Sequence, residues 1–223
     1  MNKAEYDELT RSTRTIESTH TDVADFARQQ IRDASSDTEQ AVRLYYGVRD
    51  FIRYDPYRID LTVDGMKASA TLATRQGWCV SKSVLLAACC RSLGIPARLG
   101  FADVRNHLST ERLRQRMRTD IFYWHGYTEM WLEEKWVKAT PAFNIELCQR
   151  FGLLPLEFDG QSDSLYHPYD REGNRHMEYV NHRGAYSDLP IEEIIRTFRE
   201  EYSFAERSEL DEASFDEDAS RET

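Results

Sequence analysis

The residues best suited to chemistry lie in one short stretch, residues 76–83, which has Cys79 near its centre. Residues 84–93 follow it and are apolar almost all round, a pattern that predicts a buried helix. Gly94 and Pro96 then end that helix. Cys79 is therefore expected at a helix N-terminus, where unpaired N–H groups favour a thiolate and could hold a developing oxyanion. This is the chemistry of a cysteine nucleophile.

The alternative reading of Cys79 is an inert core residue, because free cysteines are among the most buried residues in proteins. The other cysteines, Cys89, Cys90 and Cys148, lie among apolar neighbours and are predicted to pack in the core. The cysteine spacing fits no disulfide framework, which suggests free thiols. It also contains no CxxC pair, which argues against a structural zinc site.

A cysteine nucleophile needs a base that takes its proton and later returns it to the leaving group. Among the six histidines, His125 is the best candidate because it lies in a predicted strand that follows the cysteine helix. It is flanked there by Trp124 and Gly126. The other five are interpreted as surface or satisfied core residues, and the second choice among them is His107, in a segment between two predicted strands. The remaining four are His20, His167, His176 and His182.

Length and composition limit the class of protein. The chain has 223 residues, enough for one domain with a substantial core or for two small ones. Its net charge of -10 argues against general nucleic-acid binding. It contains no run of 18 apolar residues, so no membrane span is expected. No apolar signal segment begins the chain, which makes a cytoplasmic location the expectation. The oligomeric state is left open.

The elements around these residues follow from hydrophobic periodicity. Residues 1–21 are polar and are predicted to form an extended lead-in. Ser36 and Glu39 fit a capping box that begins one of the helices. Apolar residues at helical spacing predict helices over residues 21–31, 36–52 and 188–202, with a short helical turn at 68–72 inside a connection.

Alternating residues predict an antiparallel sheet in the second half of the chain. Its hairpin is predicted over residues 121–132 and 136–140, and further strands over 97–104 and 176–180. Residues 105–120 are charged and should form an exposed excursion, as a short helix or a lid. In the first hairpin strand, one predicted face carries Tyr123, His125, Tyr127, Glu129 and Trp131. The tail, residues 206–223, holds eight carboxylates and is expected to be disordered.

These motifs together resemble the transglutaminase-like superfamily. The resemblance rests on Cys79 at a helix start, the Gly-Ile-Pro-Ala-Arg run at 94–98, His125 with Glu129 and Trp131, and the Trp-Val pair at 136–137. It covers about residues 40–144. It implies an α+β papain-like fold, in which N-terminal helices and a central helix carrying Cys79 pack on an antiparallel sheet carrying His125. We expect a single domain over residues 1–205, with a C-terminal extension at 145–205.

The resemblance also assigns roles to three positions. Cys79 matches the family's nucleophile and His125 matches its base. The aspartate that usually orients the histidine follows it by about one hairpin, and that position holds Thr140. A threonine hydroxyl can accept the imidazole N–H but supplies no charge to stabilise imidazolium. The alternatives that could orient the ring from elsewhere are Asn144, Asp103 and Asp159.

The function predicted from these residues is thiol-dependent acyl transfer or amide hydrolysis on a protein or peptide, through a thioester at Cys79. No metal or cofactor is expected. One rival is acyl transfer from a small thioester donor on the same scaffold. The other is a catalytically weak or inactive domain that binds a peptide or protein in the same groove, and Thr140 is the residue that favours it.

Overall fold

The computed structural model describes residues 1–106, 110–166, 172–173, 177–202 and 215–221. The helices over these residues are α1 (Lys3–Thr10), α2 (Thr21–Ile31), α3 (Asp37–Phe51), α4 (Ala68–Thr74), α5 (Cys79–Ser92), α6 (Glu111–Met117), α7 (Ile145–Arg150), α8 (Ile191–Glu201) and α9 (Phe215–Arg221). The strands are β1 (Arg53–Tyr54), β2 (Gln76–Gly77), β3 (Ala97–Asn106), β4 (Ile121–Leu132), β5 (Lys135–Ala139) and β6 (Met177–Tyr186). The predicted α+β class is confirmed.

Helix α5 lies between two layers, which explains why its sequence is apolar on every side. It packs against α2, α3 and α4 on one side and against β3 and β4 on the other. All of its residues except Ser92 are buried. A helix enclosed in this way has no face for water, so even its one lysine, Lys82, is fully buried.

Lys82 ties α5 to two other parts of the chain. Its Nζ donates hydrogen bonds to the carbonyl oxygens of Arg49 and Ile52, at the end of α3, and of Ala142, after β5. A buried ammonium is tolerable only when such acceptors replace its water shell. Lys82 therefore links the cysteine helix to the segment that follows the hairpin.

The N-terminal residues differ from the predicted extended lead-in, because Lys3–Thr10 forms α1. Its start is a reciprocal cap: the Glu5 N–H donates to Asn2 Oδ1 at 3.0 Å, and the Asn2 N–H donates to the Glu5 carboxylate at 3.1 Å. Such a cap satisfies two backbone donors of the first turn. The Tyr6 hydroxyl then donates to the carbonyl of Gly94 at 2.9 Å, which docks α1 at the end of α5.

The predicted capping box of α3 is only half formed. Ser36 is the N-cap, and its hydroxyl accepts the Glu39 N–H at 3.2 Å. The Glu39 carboxylate, however, accepts from the Ser35 N–H at 3.0 Å and from Arg43. The ion pair with Arg43, one turn later, holds this side chain away from the Ser36 backbone.

The main sheet has the strand order β5-β4-β3-β6, and all its neighbours are antiparallel. The hairpin of β4 and β5 is confirmed, with Trp131 opposite Trp136. Its turn residues Glu133 and Glu134 have left-handed φ angles of 48° and 64°. Strand β6 extends beyond the predicted residues 176–180, because it pairs with β3 along its whole length.

A β-bulge interrupts β4 just before His125. The register with β3 shifts between Ala102 and Val104, and Trp124 has a left-handed φ of 58°. A bulge adds one residue on one strand and therefore exchanges the faces of the residues before it. Tyr123 therefore lies in the bulge without a partner in the β3–β4 ladder, yet it lines the same cavity as His125, so the single face predicted from Tyr123 to Trp131 stays a prediction.

The described part of the C-terminal tail also differs from the expectation of disorder. Residues 215–221 form α9, and Phe215 is buried against the rings of Tyr54, Tyr57 and Phe151. Asp218 adds contacts to Tyr57 and Arg112, so this short acidic segment docks through an aromatic ring and a carboxylate. Residues 206–214 and 222–223 lie outside the described residues, and the single-domain boundary at residue 205 stays a prediction.

The helices that the structure describes are all too short or too polar to cross a membrane.

Candidate active site

Cys79 and His125 line the same cavity. Cys79 is the first residue of α5, as predicted, and His125 lies in β4 immediately after the bulge. The cavity encloses about 520 Å³ of empty space, part of which is open to solvent. The two elements meet closely at Gly126, where a Cβ atom would lie 3.0 Å from the Cα of Val80. The glycine beside His125 therefore lets the strand approach the first turn of the cysteine helix.

The turn before Cys79 is shaped by small residues and a side-chain cap. A Cβ on Gly77 would lie 2.6 Å from the Ser81 hydroxyl oxygen. That hydroxyl accepts the N–H of Trp78, the N-cap residue, at 3.1 Å. This local arrangement places Cys79 at the first helical position, where the helix N–H groups have no intrahelical partner.

Burial dominates the acidity of Cys79. The side chain is almost fully buried, and this desolvation raises the pKa of the Cys79 thiol to about 12. The backbone N–H groups of Gly126 and Val80 act in the opposite direction, but their combined effect is smaller. Burial therefore favours the thiol form of Cys79 and opposes the thiolate that the helix N-terminus favours.

His125 is neutral at rest for the same physical reason. Its burial lowers the pKa of the imidazole to about 3. Its ring lies against that of Tyr166, with centroids 4.5 Å apart. Its Nε2 atom is buried and has no hydrogen-bond partner among the described residues. The cavity thus holds a neutral thiol and a neutral imidazole.

Thr140 is buried beside the strand that carries His125, but no hydrogen bond joins the two in the described part of the chain. Its N–H donates to the Ser164 carbonyl at 3.0 Å, and its carbonyl accepts from the Tyr45 hydroxyl at 3.3 Å. Its Oγ1, like Nε2 of His125, is buried without a partner among the described residues. Unpaired buried polar atoms are uncommon in native proteins, and Thr140 is not among the residues that line the cavity of Cys79 and His125.

Two of the alternative orienting residues are used elsewhere. Asn144 Oδ1 accepts the Tyr54 N–H at 3.1 Å. Asp159 is exposed and accepts the N–H groups of Gln161 and Ser162, each at 2.8 Å, in a local turn. Neither side chain has a described contact with His125.

Asp103 acts on the histidine only through the backbone. Its Oδ1 accepts the Trp124 N–H at 3.1 Å, and its carboxylate pairs with Arg183. The Trp124 indole N–H donates to Thr197 Oγ1 at 2.9 Å. These contacts hold the residue with the left-handed φ that precedes His125, so Asp103 is a positioning residue of the bulge.

The rest of the cavity wall is apolar and mostly aromatic. The excursion between β3 and β4 contributes Leu113 and Met117 from α6, and the short helix predicted there is confirmed. Helix α8 contributes Phe198, and Tyr202 follows it directly as the C-cap residue. Sequence reasoning missed these residues as wall components, and only the spacing of the α8 apolar residues could have indicated that this helix packs on the sheet. His107, the second candidate base, lies outside the described residues.

Across the described residues, His, Cys, Asp and Glu nowhere form a group of three that could hold a metal ion.

Comparison with known proteins identifies one matching family and two solved structures to which the chain is similar. Residues 24–141 match the model of the transglutaminase-like superfamily, and this range contains Cys79, His125 and Thr140. No curated protein matches the chain significantly. The chain is similar to the structure of a proposed cysteine protease from Cytophaga hutchinsonii, with 14% identity and a TM-score of 0.50. That match covers 83% of this chain and 55% of the other.

A second solved structure is less similar. It is a proposed protease from Parabacteroides distasonis, with 15% identity and a TM-score of 0.40 over 60% of this chain and 26% of the other. The chain therefore spans little more than half of the first structure and about a quarter of the second.

Proposed function

The chain belongs to the transglutaminase-like superfamily, and we propose that it catalyses thiol-dependent acyl transfer or amide hydrolysis. Cys79 is the nucleophile, and His125 is the general base and then the general acid. The observation that carries the proposal is that the helix-terminal Cys79 and the strand residue His125 line one buried cavity. A cysteine and a histidine in one cleft are the minimum set for covalent acyl chemistry.

Burial, which favours the uncharged form of both groups, suggests the order of events. The Cys79 sulfur attacks the substrate carbonyl carbon while His125 accepts the thiol proton, because neither group is charged beforehand. The backbone N–H groups at the start of α5 and at Gly126 are donors for the oxyanion that forms. His125 then gives the proton to the leaving nitrogen as the carbon–nitrogen bond breaks, and a thioester remains on Cys79. Water or a second amine releases the acyl group.

We further propose that Thr140 orients His125 during this reaction. The support is that Thr140 Oγ1 and His125 Nε2 are both buried and unpaired at rest. When the imidazole becomes charged it needs an acceptor for its second N–H, and a hydroxyl oxygen can serve. A hydroxyl stabilises imidazolium less than a carboxylate does, so turnover should be slower than with an aspartate at this position.

The proposed substrate is a protein or peptide amide. A cytoplasmic location remains part of the proposal, and the four free cysteines fit a reducing compartment.

Hydroxylamine trapping tests the proposal. The protein is incubated with a peptide library and hydroxylamine, whose nitrogen attacks any thioester on Cys79 and releases a hydroxamate. Hydroxamates detected by mass spectrometry are expected with the native protein and should be absent with Cys79→Ser and His125→Ala. Cys148→Ser is the matched control, because Cys148 is equally buried but does not line the cavity. Hydroxamates that persist in Cys79→Ser would disprove the assignment.

A second candidate function is peptide or protein binding without catalysis. The observation in its favour is the pair of unpaired atoms, Nε2 of His125 and Oγ1 of Thr140. In that case peptides would be retained by the protein, and no hydroxamate would form at any hydroxylamine concentration.

A further inference from the structure

We infer that the cavity selects acyl donors whose acyl group is apolar and uncharged. The inference rests on the proposed function for the place of the carbonyl, which must lie at the Cys79 sulfur. The acyl chain attached to that carbonyl then occupies the cavity around the nucleophile. The chemistry of the wall therefore determines which acyl groups fit.

None of the described lining residues has a charged side chain, except that Cys79 and His125 can become charged during the reaction. The side chains around them are mostly aromatic, and include Tyr54, Trp78, Phe122 and Phe198. Aromatic rings offer large apolar area with little conformational freedom to lose. A substrate side chain with a charge would enter this space with no partner of opposite sign.

Two hydroxyl groups of the wall have protein partners, whereas the indole N–H of Trp78 is buried without a partner among the described residues. The Tyr202 oxygen accepts the Tyr123 N–H at 2.7 Å and donates to the Ile121 carbonyl at 3.3 Å. The Tyr123 hydroxyl hydrogen bonds to Glu201. A carboxamide side chain would find the unpaired Trp78 N–H there, whereas a charged side chain would find no partner of opposite sign among the described lining residues.

Two ion pairs lie close to the elements of the wall but outside it. Arg112 of α6 points to Asp218 of α9, with 2.7 Å between Nε and Oδ2. Asp103 and Arg183 form an ion pair beside the bulge. Neither pair belongs to the described cavity lining, so neither offers a charge to an ionic substrate group.

The apolar side chains that α6 contributes to the wall are held in place by contacts at the start of that helix. Thr110 caps α6: its Oγ1 accepts the Leu113 N–H at 3.3 Å and lies 2.7 Å from the Tyr57 hydroxyl oxygen. Leu113 and Met117, one turn apart, are both buried. This arrangement places two apolar side chains of α6 over the site and keeps the charged side of the helix outward.

Binding of three simple amides to the Cys79→Ala variant tests the inference without chemistry. The amides are 3-phenylpropanamide, pentanediamide and 4-carbamoylbutanoate, and calorimetry or ligand-observed NMR measures the affinity. We expect 3-phenylpropanamide to bind at least about tenfold more tightly than 4-carbamoylbutanoate, because a hydrophobic pocket rejects an unpaired charge. Pentanediamide should fall between them.

A charge placed in the wall should change this order. Met117→Lys, in the Cys79→Ala background, is expected to weaken 3-phenylpropanamide and strengthen 4-carbamoylbutanoate, each by roughly tenfold. The matched control is Gln115→Lys, which adds the same charge on the exposed side of the same helix. Met117→Leu should keep the native preference.

The outcomes separate this inference from the proposed function. Equal or tighter binding of 4-carbamoylbutanoate to the parent variant would overturn the inference, as would no binding of 3-phenylpropanamide. The same response to Gln115→Lys as to Met117→Lys would also overturn it. Selective binding of the apolar amide, together with no hydroxamate from the native protein, would contradict the catalytic proposal and leave the preference of the cavity standing.

Discussion

At the scale of the residue, solvation outweighs the helix terminus in setting the state of the candidate pair. Cys79 lies where partial positive charge favours a thiolate, yet burial raises the pKa of its thiol. Burial lowers the pKa of His125 in turn. Removal of water disfavours both the Cys79 thiolate and the His125 imidazolium. The thiol form of Cys79 is therefore favoured until a substrate binds.

This state predicts a loss of stability in acid that depends on His125. Its folded-state pKa of about 3 lies below the ordinary value of 6.5. As the pH falls through 6.5 the unfolded chain therefore binds the proton first, and stability is lost until the folded imidazole protonates near pH 3. Between pH 7 and pH 4, His125→Leu should lose roughly 1–3 kcal/mol less unfolding free energy than the native protein. Urea denaturation at each pH measures this, and equal losses would contradict the buried neutral imidazole.

Thr140→Asp tests the residue that stands where the family has an aspartate. A carboxylate near Nε2 would raise the pKa of His125 and stabilise imidazolium, so turnover should rise more than binding. The same carboxylate should lower the free energy of unfolding by about 1–3 kcal/mol if the imidazole does not donate a hydrogen bond to it before the reaction. The rate of hydroxamate release and the denaturant midpoint measure the two effects.

Thr140→Val is the matched control, because it keeps the shape and removes the hydroxyl. It should slow turnover. Any gain in the free energy of unfolding should be no larger than the desolvation cost of the hydroxyl group that is removed. If neither variant changes rate or stability, residue 140 does not face the imidazole.

At the scale of the element, the site depends on how α5 is fixed. The helix is buried on all sides, and Lys82 joins it to the end of α3 and to the segment after β5. Strand β4 reaches the first turn of α5 only because residue 126 is a glycine. The distance between nucleophile and base is therefore a property of element packing.

Lys82→Met should lower the free energy of unfolding by roughly 2–5 kcal/mol, because three buried carbonyl oxygens lose their donor. Chemical denaturation measures the change. Lys3→Met is the matched control: Lys3 is exposed in α1, and its replacement should leave the free energy of unfolding nearly unchanged. Similar effects of both variants would show that the buried hydrogen bonds of Lys82 do not stabilise the fold.

At the scale of the whole molecule, helix α9 packs against the outside of the cavity wall. Phe215 of α9 lies against Tyr54 and Tyr57, and Tyr54 also lines the cavity of Cys79. Asp218 accepts from the Tyr57 hydroxyl at 2.9 Å and from Arg112 of α6 at 2.7 Å. The last described helix thus contacts two components of the cavity wall from outside.

Phe215→Ala should lower the melting temperature by about 2–8 °C, since a buried ring is lost from an aromatic cluster. Scanning calorimetry measures the shift. Glu217→Gln, on the exposed side of the same helix, should leave the melting temperature nearly unchanged. An unchanged melting temperature in Phe215→Ala would restore the original expectation that residues 206–223 form a disordered tail.

Local patterns in the sequence determined much of this protein. The apolar run after Cys79 and the stop at Gly94 place a buried helix with a cysteine at its start, and the structure has that helix. Alternation and the Glu133 turn predict the hairpin that carries His125. These features depend on neighbouring residues only, so they can be recognised in the chain itself.

Tertiary structure alone decided the electrostatics and the shape of the site. The pKa directions of Cys79 and His125 depend on how much protein covers them, and that cover comes from distant segments such as Tyr166. The bulge at Trp124 depends on its pairing with Asp103, and the α9 contact depends on a ring cluster far away in sequence. Desolvation and long-range packing are properties of the assembled elements, and no spacing within the sequence records them.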